Sequence, residues 1–149
     1  MPTELSRANW ALLVIAESGD RPLEPVQLQK SLFLLGRNMS GKQLHTAAFY
    51  CFSAYDYGPF CADVYFDAEN LETAGLVEIT RPEQARFRRF KATSNGRKVA
   101  EKLRDGLEPT ARDYLQRVVA FTTSVDFNTL VSAIYKAYPE MKANSVFDG

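Results

Sequence analysis

The sequence has few of the residues on which metal and disulfide sites depend. Its 149 residues include one histidine and two cysteines. A site with two histidines is therefore impossible, and a catalytic triad would rest on His45 alone, which we expect on the surface. Two cysteines in a chain of this length are typical of a reducing compartment. We expect Cys51 and Cys61 to be free and buried as small hydrophobic side chains.

Long apolar runs and phosphate-binding glycine loops are also missing. The longest apolar runs, Trp10 to Ala16 and Phe49 to Phe52, are much shorter than the ~18 residues of a membrane span. The eight glycines never form the pattern G-x-x-x-x-G-K-[ST]. No basic stretch followed by an apolar region opens the chain, so we expect no secretory signal. These absences predict a cytoplasmic protein without a membrane span, metal or cofactor.

Charge of either sign is balanced overall but unevenly distributed. The chain has 18 basic and 18 acidic residues, with 46% hydrophobic residues that predict one globular core. Residues 1–78 carry a net charge of −5, residues 79–104 a net charge of +7, and the remainder −2. A basic segment this concentrated indicates an acidic partner.

Helical spacing of apolar residues and capping residues predict the elements. Ser6 and Pro25 suit helix starts, Gly75 suits a helix end, and Gly58 suits a corner with positive φ. Pro59 is expected to begin the third helix. The predicted order is a helix over about 7–18, a helix from 25 to near Gly36 or Asn38, a loop at 40–42, an extended segment over 47–55, a helix after Pro59, strands at 76–80 and 87–93, a helix capped by Thr93 or Ser94, and helices over 110–122 and 127–138.

This order predicts a mainly α protein with a small β-hairpin, in the α+β class. Helices that lead directly into a hairpin and a further helix are typical of a winged helix-turn-helix domain, with the hairpin as the wing. We assign residues 1–105 to this winged-helix-like domain. Residues 106–149 form a C-terminal helical extension, which packs on the domain or forms a homodimer interface.

Two stretches of the sequence resemble a known family. They read Leu28-Gln29-Lys30-Ser31-Leu32-Phe33 and Tyr55-Asp56-Tyr57-Gly58-Pro59-Phe60, the second followed by Ala74-Gly75-Leu76-Val77. Together they resemble the Panacea (SocA-like antitoxin) domain and related bacterial winged-helix proteins, over roughly residues 10 to 105. The resemblance implies a non-enzymatic regulatory or protein-interaction module of antitoxin, phage-defence or adaptor type.

Aromatic and acidic side chains around the Tyr-Gly-Pro corner are the candidates for binding a protein partner. Tyrosine is frequent at interface hot spots, although the same residues could pack in the core. The third helix carries Asp63, Asp67, Glu69 and Glu72 on the face opposite its apolar residues. The protein-binding candidates are Tyr55, Tyr57, Phe60, Asp63, Asp67 and Asn70.

Duplex DNA is the alternative partner. The acidic third helix would be repelled by phosphates, and about twenty residues separate it from the second helix, so major-groove readout by that helix is disfavoured. The predicted wing is basic and could hold phosphates, but it could equally be solvated or pair with the acidic helix. The nucleic-acid candidates are Arg86, Arg88, Arg89, Lys91, Arg97 and Lys98.

Catalytic chemistry has weak support in the sequence. Cys61 near a helix start could have an activated thiol, but no base is identifiable nearby. Asp63 and Asp67 have the i, i+4 spacing of a paired-carboxylate site, which is far more often a solvated helix surface. We therefore expect no enzymatic activity.

Overall fold

The computed structural model describes residues 4–46, 48–83 and 87–147. In these residues the chain is mainly helical with two small antiparallel hairpins, which confirms the α+β prediction. No helix in the described ranges is both long and apolar enough to cross a membrane. The elements are α1 Arg7–Glu17, α2 Pro25–Asn38, α3 Gly41–Leu44, β1 Ser53–Tyr55, β2 Gly58–Phe60, α4 Ala62–Thr73, β3 Val77–Thr80, β4 Arg89–Ala92, α5 Ser94–Asp105, α6 Pro109–Ser124, α7 Phe127–Ala137 and a 3₁₀ helix Pro139–Lys142.

Helix α1 lies at the centre of the fold. Ser6 caps it with a reciprocal capping box to Asn9. All six residues from Trp10 to Ile15 are buried, as expected of a helix surrounded by other elements. The Trp10 indole donates a hydrogen bond to the Leu44 carbonyl at 2.7 Å. Helices α2, α4, α5 and α6 and strand β4 all pack on α1.

The segment between the second and third predicted helices contains a short helix that the sequence did not predict. Ser40 caps a short helix, α3, in place of the predicted loop. Its capping box with Gln43 is the serine-to-glutamine signature at N-cap and N3. Ala47, at the start of the predicted extended segment, lies outside the described residues.

The Tyr-Gly-Pro corner is a hairpin and not a helix start. Gly58 has the positive φ that was predicted, 101°, and Tyr55 pairs with Gly58 while Ala54 pairs with Pro59. Pro59 therefore belongs to β2, which accepts it because a strand at the edge of a ladder does not need every N–H. Helix α4 begins three residues later, at Ala62.

The second hairpin agrees with the sequence prediction. Strands β3 and β4 pair with Ile79 opposite Phe90 and Glu78 opposite Lys91. Side chains alternate as expected, since Phe90 is buried and Arg89 is exposed. Leu23, between α1 and α2, exchanges two backbone hydrogen bonds with Phe90 at 2.8 and 2.9 Å and extends the hairpin by one bridge.

Helix α6 contributes to the same core, whereas Leu130 and Ile134 of α7 form a second buried cluster with Phe33 of α2. Helix α6 packs on α2 and α1, and Ala111, Leu115 and Val119 belong to the main cluster of buried residues. The buried Ser31 and Thr122 hydroxyls share a hydrogen bond of 2.8 Å between α2 and α6. After the 3₁₀ helix, Val146 donates its N–H to the Asp56 carbonyl at 2.9 Å. The last described residues therefore lie against the first hairpin.

Candidate functional site

The two motifs that carry the family resemblance meet in space. The Gln29 side chain donates to the Cys61 carbonyl at 2.9 Å and accepts from the Cys61 N–H at 3.0 Å. Next to it, the Lys30 Nζ donates to the Pro59 carbonyl at 3.1 Å. Helix α2 thus holds β2 and the residue before α4 through two adjacent side chains, which gives the co-occurrence of the motifs a structural reason.

A groove of about 580 Å³ opens where these motifs meet. It collects residues from the start of α2, the first hairpin, α4, the residues before β4 and the start of α7. Four aromatic side chains at its rim are substantially exposed: Tyr55 at 53%, Tyr57 at 45%, Phe87 at 58% and Phe127 at 38%. We call this cavity the aromatic groove; its lining residues are Glu24, Pro25, Val26, Gln29, Lys30, Tyr55, Asp56, Tyr57, Gly58, Phe60, Tyr65, Phe87, Arg88 and Phe127.

Ring-to-ring contacts hold the walls of the groove in place. Tyr55 stacks on Phe60 with ring centroids 5.1 Å apart, and Tyr57 meets Phe127 edge to face at 5.2 Å. Such arrangements stabilise aromatic pairs by about 1 kcal/mol beyond the area they bury. The rim is therefore organised before any partner arrives.

Lys30 lines the groove with only 4% of its surface exposed. Burial lowers the pKa of its ammonium group to about 8. At neutral pH the group is still mostly protonated. None of the ion pairs formed by the described residues includes Lys30, and the Pro59 carbonyl is its one hydrogen-bond acceptor among them.

Arg88 forms another part of the wall. Its guanidinium lies over the Tyr65 ring at 5.1 Å and the Phe90 ring at 5.6 Å, and it donates to Glu69 at 2.8 Å. Tyr65 and Phe90 are stacked nearly parallel at 6.0 Å. Burial raises the pKa of the Tyr65 hydroxyl. The positive charge of Arg88 is thus already paired within the protein.

The acidic candidates of α4 do not line the groove. The expectation of a solvent-facing Asp67 is wrong: it is buried, accepts a hydrogen bond from the Tyr50 hydroxyl at 2.7 Å and pairs with Arg7 at 3.1 Å. Burial, followed by this hydrogen bond, raises the pKa of Tyr50. Asp63 also pairs with Arg7 at 3.1 Å, and Asn70 is exposed. Arg7 thereby bridges the two carboxylates that the helical spacing brought together.

The basic candidates are spread over several environments. Arg97 pairs with Asp20 at 2.6 Å, and Lys91 is half-buried opposite Glu78. Arg89 and Lys98 are exposed and form no ion pair with the described residues. Arg86 lies outside the described residues. The basic hairpin pairs with the acidic helix α4 at two points. Arg88 pairs with Glu69, and Arg81 pairs with Glu72 at 3.7 Å.

The thiols and the histidine differ in exposure. Both cysteines are free, but Cys51 is exposed, so its predicted burial is wrong, while Cys61 is buried. His45 is half-buried with φ 56°, and its Nε2 has no hydrogen-bond partner in the described part of the chain. Within the same residues, no three His, Cys, Asp or Glu side chains converge as a metal site requires.

Sequence reasoning named half of the exposed rim, Tyr55 and Tyr57, and missed Lys30, Phe87 and Phe127. The signal for Lys30 was its position four residues after Val26 and three before Phe33, which places it on an apolar flank of α2. Phe87 and Phe127 reach the groove from distant parts of the chain, and no local pattern brings them together.

Comparison of the chain with protein-family models, curated proteins and solved structures finds no match to any of the three.

Proposed function

We propose that this chain is a non-enzymatic protein-interaction module of antitoxin, phage-defence or adaptor type, and that it binds its partner in the aromatic groove. The observation that carries the proposal is the concentration of exposed aromatic side chains around one cavity. A well-formed apolar pocket with a few polar groups is the first candidate for a binding site, and tyrosine is over-represented among hot-spot residues.

The proposed architecture is a winged helix in which α4 takes the place of the recognition helix and β3–β4 is the wing. It is supported by the direct passage from α4 into the hairpin and by the isolated bridge between Phe90 and Leu23, which lies between α1 and α2. The resemblance to Panacea-like domains favours the same architecture, and the motifs that carry it line the groove.

The state of the catalytic candidates supports a non-enzymatic role. Asp63 and Asp67 both pair with Arg7, so the two carboxylates are already engaged within the protein. Cys61 is buried at the start of α4, and its backbone groups bond to Gln29. A nucleophile that substrate cannot reach is inert.

Panning of a random peptide library displayed on phage tests the proposal. The baits are the wild-type protein, a variant with Tyr57→Ala and Phe87→Ala, and a control with Phe66→Ala. Phe66 is 65% exposed on α4 but does not line the groove. We expect peptides enriched on wild type to bind the control equally and the groove variant at least about tenfold more weakly. Equal binding to all three, or no enrichment on wild type, would remove the proposal.

A second candidate function is duplex DNA binding by the basic hairpin β3–β4 together with Lys98 on the adjoining helix α5. It is favoured by Arg89 and Lys98, whose charges are exposed and unpaired within the described residues. Fluorescence anisotropy of mixed-sequence duplex across a salt series measures it. Binding that weakens steeply with salt and drops on Arg89→Ala with Lys98→Ala would support this candidate. Absence of binding at low salt would dismiss it.

A further inference from the structure

Two charged side chains are buried in the described part of the chain, and only one of them has an opposite charge beside it. Asp67, 8% exposed, contacts Arg7 and the Tyr50 hydroxyl. Lys30, 4% exposed, donates one hydrogen bond within the described residues, to the Pro59 carbonyl. A protonated lysine has three N–H donors, so two of them find no acceptor among the described residues. Buried charges are ordinarily paired, because an unpaired one destabilises the folded state.

The unpaired charge of Lys30 belongs to the aromatic groove. The other cation of the groove, Arg88, is already neutralised by Glu69. The two acidic residues of the lining, Glu24 and Asp56, form no ion pair with Lys30. The groove therefore presents aromatic walls, the exposed Glu24, the half-buried Asp56 and one buried cation that lacks a counter-ion. The chemical complement of the buried Lys30 ammonium and its aromatic surroundings is a carboxylate with apolar groups on either side.

The shape of the groove favours a polypeptide as the source of that carboxylate. Its walls come from separate parts of the chain, and Tyr55, Tyr57 and Phe87 extend the apolar surface outward from the cavity at its rim. A short segment of a partner protein would cover this rim while one of its side chains enters the cavity. A small free carboxylate would leave the rim aromatics exposed.

We propose that the aromatic groove binds a partner segment in which an aspartate or glutamate, flanked by apolar side chains, pairs with the Lys30 ammonium. This inference rests on the proposed function and names the chemistry that the groove recognises. Pairing would give the two free N–H donors their acceptors in a site from which water is largely displaced. Charge-assisted hydrogen bonds of this kind are stronger than neutral ones.

The test is a double-mutant cycle with a synthetic peptide enriched on the wild-type protein. One change replaces the acidic residue of the peptide by its amide, and the other is Lys30→Met in the protein. We expect each single change to weaken binding about thirtyfold and the two together to weaken it little further. Lys42→Met, a change at an exposed lysine outside the groove, is the matched control and should leave the affinity unchanged.

A second measurement keeps the inference testable if Lys30→Met fails to fold. The pKa of the Lys30 Nζ, followed by NMR in the wild-type protein, should rise above about 8 on addition of the acidic peptide and should not rise with the amide peptide.

Three results would overturn the inference, and they are distinguishable from failure of the proposed function. Enriched peptides that need Tyr57 and Phe87 but carry no acidic residue would leave the proposed function standing and remove the role of Lys30. Equal binding of the acidic and amide peptides would do the same. Displacement of the peptide by phenylacetate at a comparable affinity would assign the site to a small carboxylate. If no peptide is enriched at all, the proposed function fails first.

Discussion

Burial of the Lys30 ammonium group in the groove lowers the free energy of unfolding, because the charged form loses its hydration. Its pKa is about 8 in the folded protein and 10.5 for an ordinary lysine. Between these two values the unfolded chain binds more protons than the folded one, so the free energy of unfolding rises with pH in this window. The destabilising effect is fully present below about pH 8 and is relieved as the pH approaches 10.5.

Lys30→Met should therefore stabilise the protein near neutral pH by about 2 kcal/mol, allowing for the lost hydrogen bond to Pro59. The gain over wild type should shrink by about 2 kcal/mol between about pH 7 and about pH 9.5. Urea unfolding of both proteins at each pH measures it. Comparison with wild type cancels the titration of the groups that the two proteins share. A variant less stable than wild type at neutral pH would show that Lys30 is structural.

Asp67 differs from Lys30 because it is buried beside an opposite charge: it pairs with Arg7 and accepts a hydrogen bond from the Tyr50 hydroxyl. Asp67→Ala would leave the Tyr50 hydroxyl and the Arg7 guanidinium without their shared acceptor. We expect a loss of about 3 kcal/mol in the free energy of unfolding. Asp63→Ala removes the more exposed carboxylate from the same arginine and should cost less than about 1 kcal/mol. Equal effects of the two changes in chemical denaturation would contradict this account.

At the scale of the elements, the close approach of α5 to β3 depends on Gly96. A Cβ at this position would overlap the backbone carbonyl of Leu76, which is also the acceptor for Thr93 N–H. Because backbone cannot move aside as a side chain can, Gly96→Ala should lower the free energy of unfolding by about 2 kcal/mol or more. Gly106→Ala is the control, since its Cβ would meet only ordinary contacts and its φ is −83°. Thermal unfolding of the two variants compares them, and a similar midpoint for both would refute the close approach.

Most element boundaries could be predicted because their signals are local. The Ser6 cap of α1, the Pro25 start of α2 and the end of α4 just before Gly75 all lie where the sequence placed them. The helix predicted to begin at Pro59 is misplaced, because Pro59 belongs to β2. Proline suits both the first turn of a helix and an edge strand, so its own geometry cannot separate the two. The choice depends on pairing with β1 and on the Lys30 bond to the Pro59 carbonyl.

At the scale of the whole molecule, part of the uneven charge is paired inside the protein. Each ion pair made by a described residue of the basic segment 79–104 goes to an acid within residues 1–78. The pairs are Arg81 with Glu72, Arg88 with Glu69, Arg97 with Asp20 and Arg104 with Glu17. The basic segment that indicated an acidic partner thus has such partners in its own chain.

The aromatic groove could be predicted only in part, because its residues come from distant parts of the chain. The corner residues Tyr55 and Tyr57 are adjacent to a recognisable motif, whereas Phe87 and Phe127 join them through the packing of the β3–β4 hairpin and α7. Local patterns specify elements, but a cavity between elements depends on contacts distant in sequence. The burial of Asp67 could not be predicted either, because its partners Arg7 and Tyr50 lie on other segments of the chain.

The most direct test of the central claim compares the aromatic groove with the basic hairpin in one assay. A labelled peptide enriched on the wild-type protein is titrated by fluorescence anisotropy with wild type, with the variant carrying Tyr57→Ala and Phe87→Ala, and with the variant carrying Arg89→Ala and Lys98→Ala. We predict that the affinity for the peptide falls at least about tenfold in the variant with Tyr57→Ala and Phe87→Ala. It should fall less than about twofold in the variant with Arg89→Ala and Lys98→Ala. The reverse order would contradict the account and move the binding surface to the hairpin.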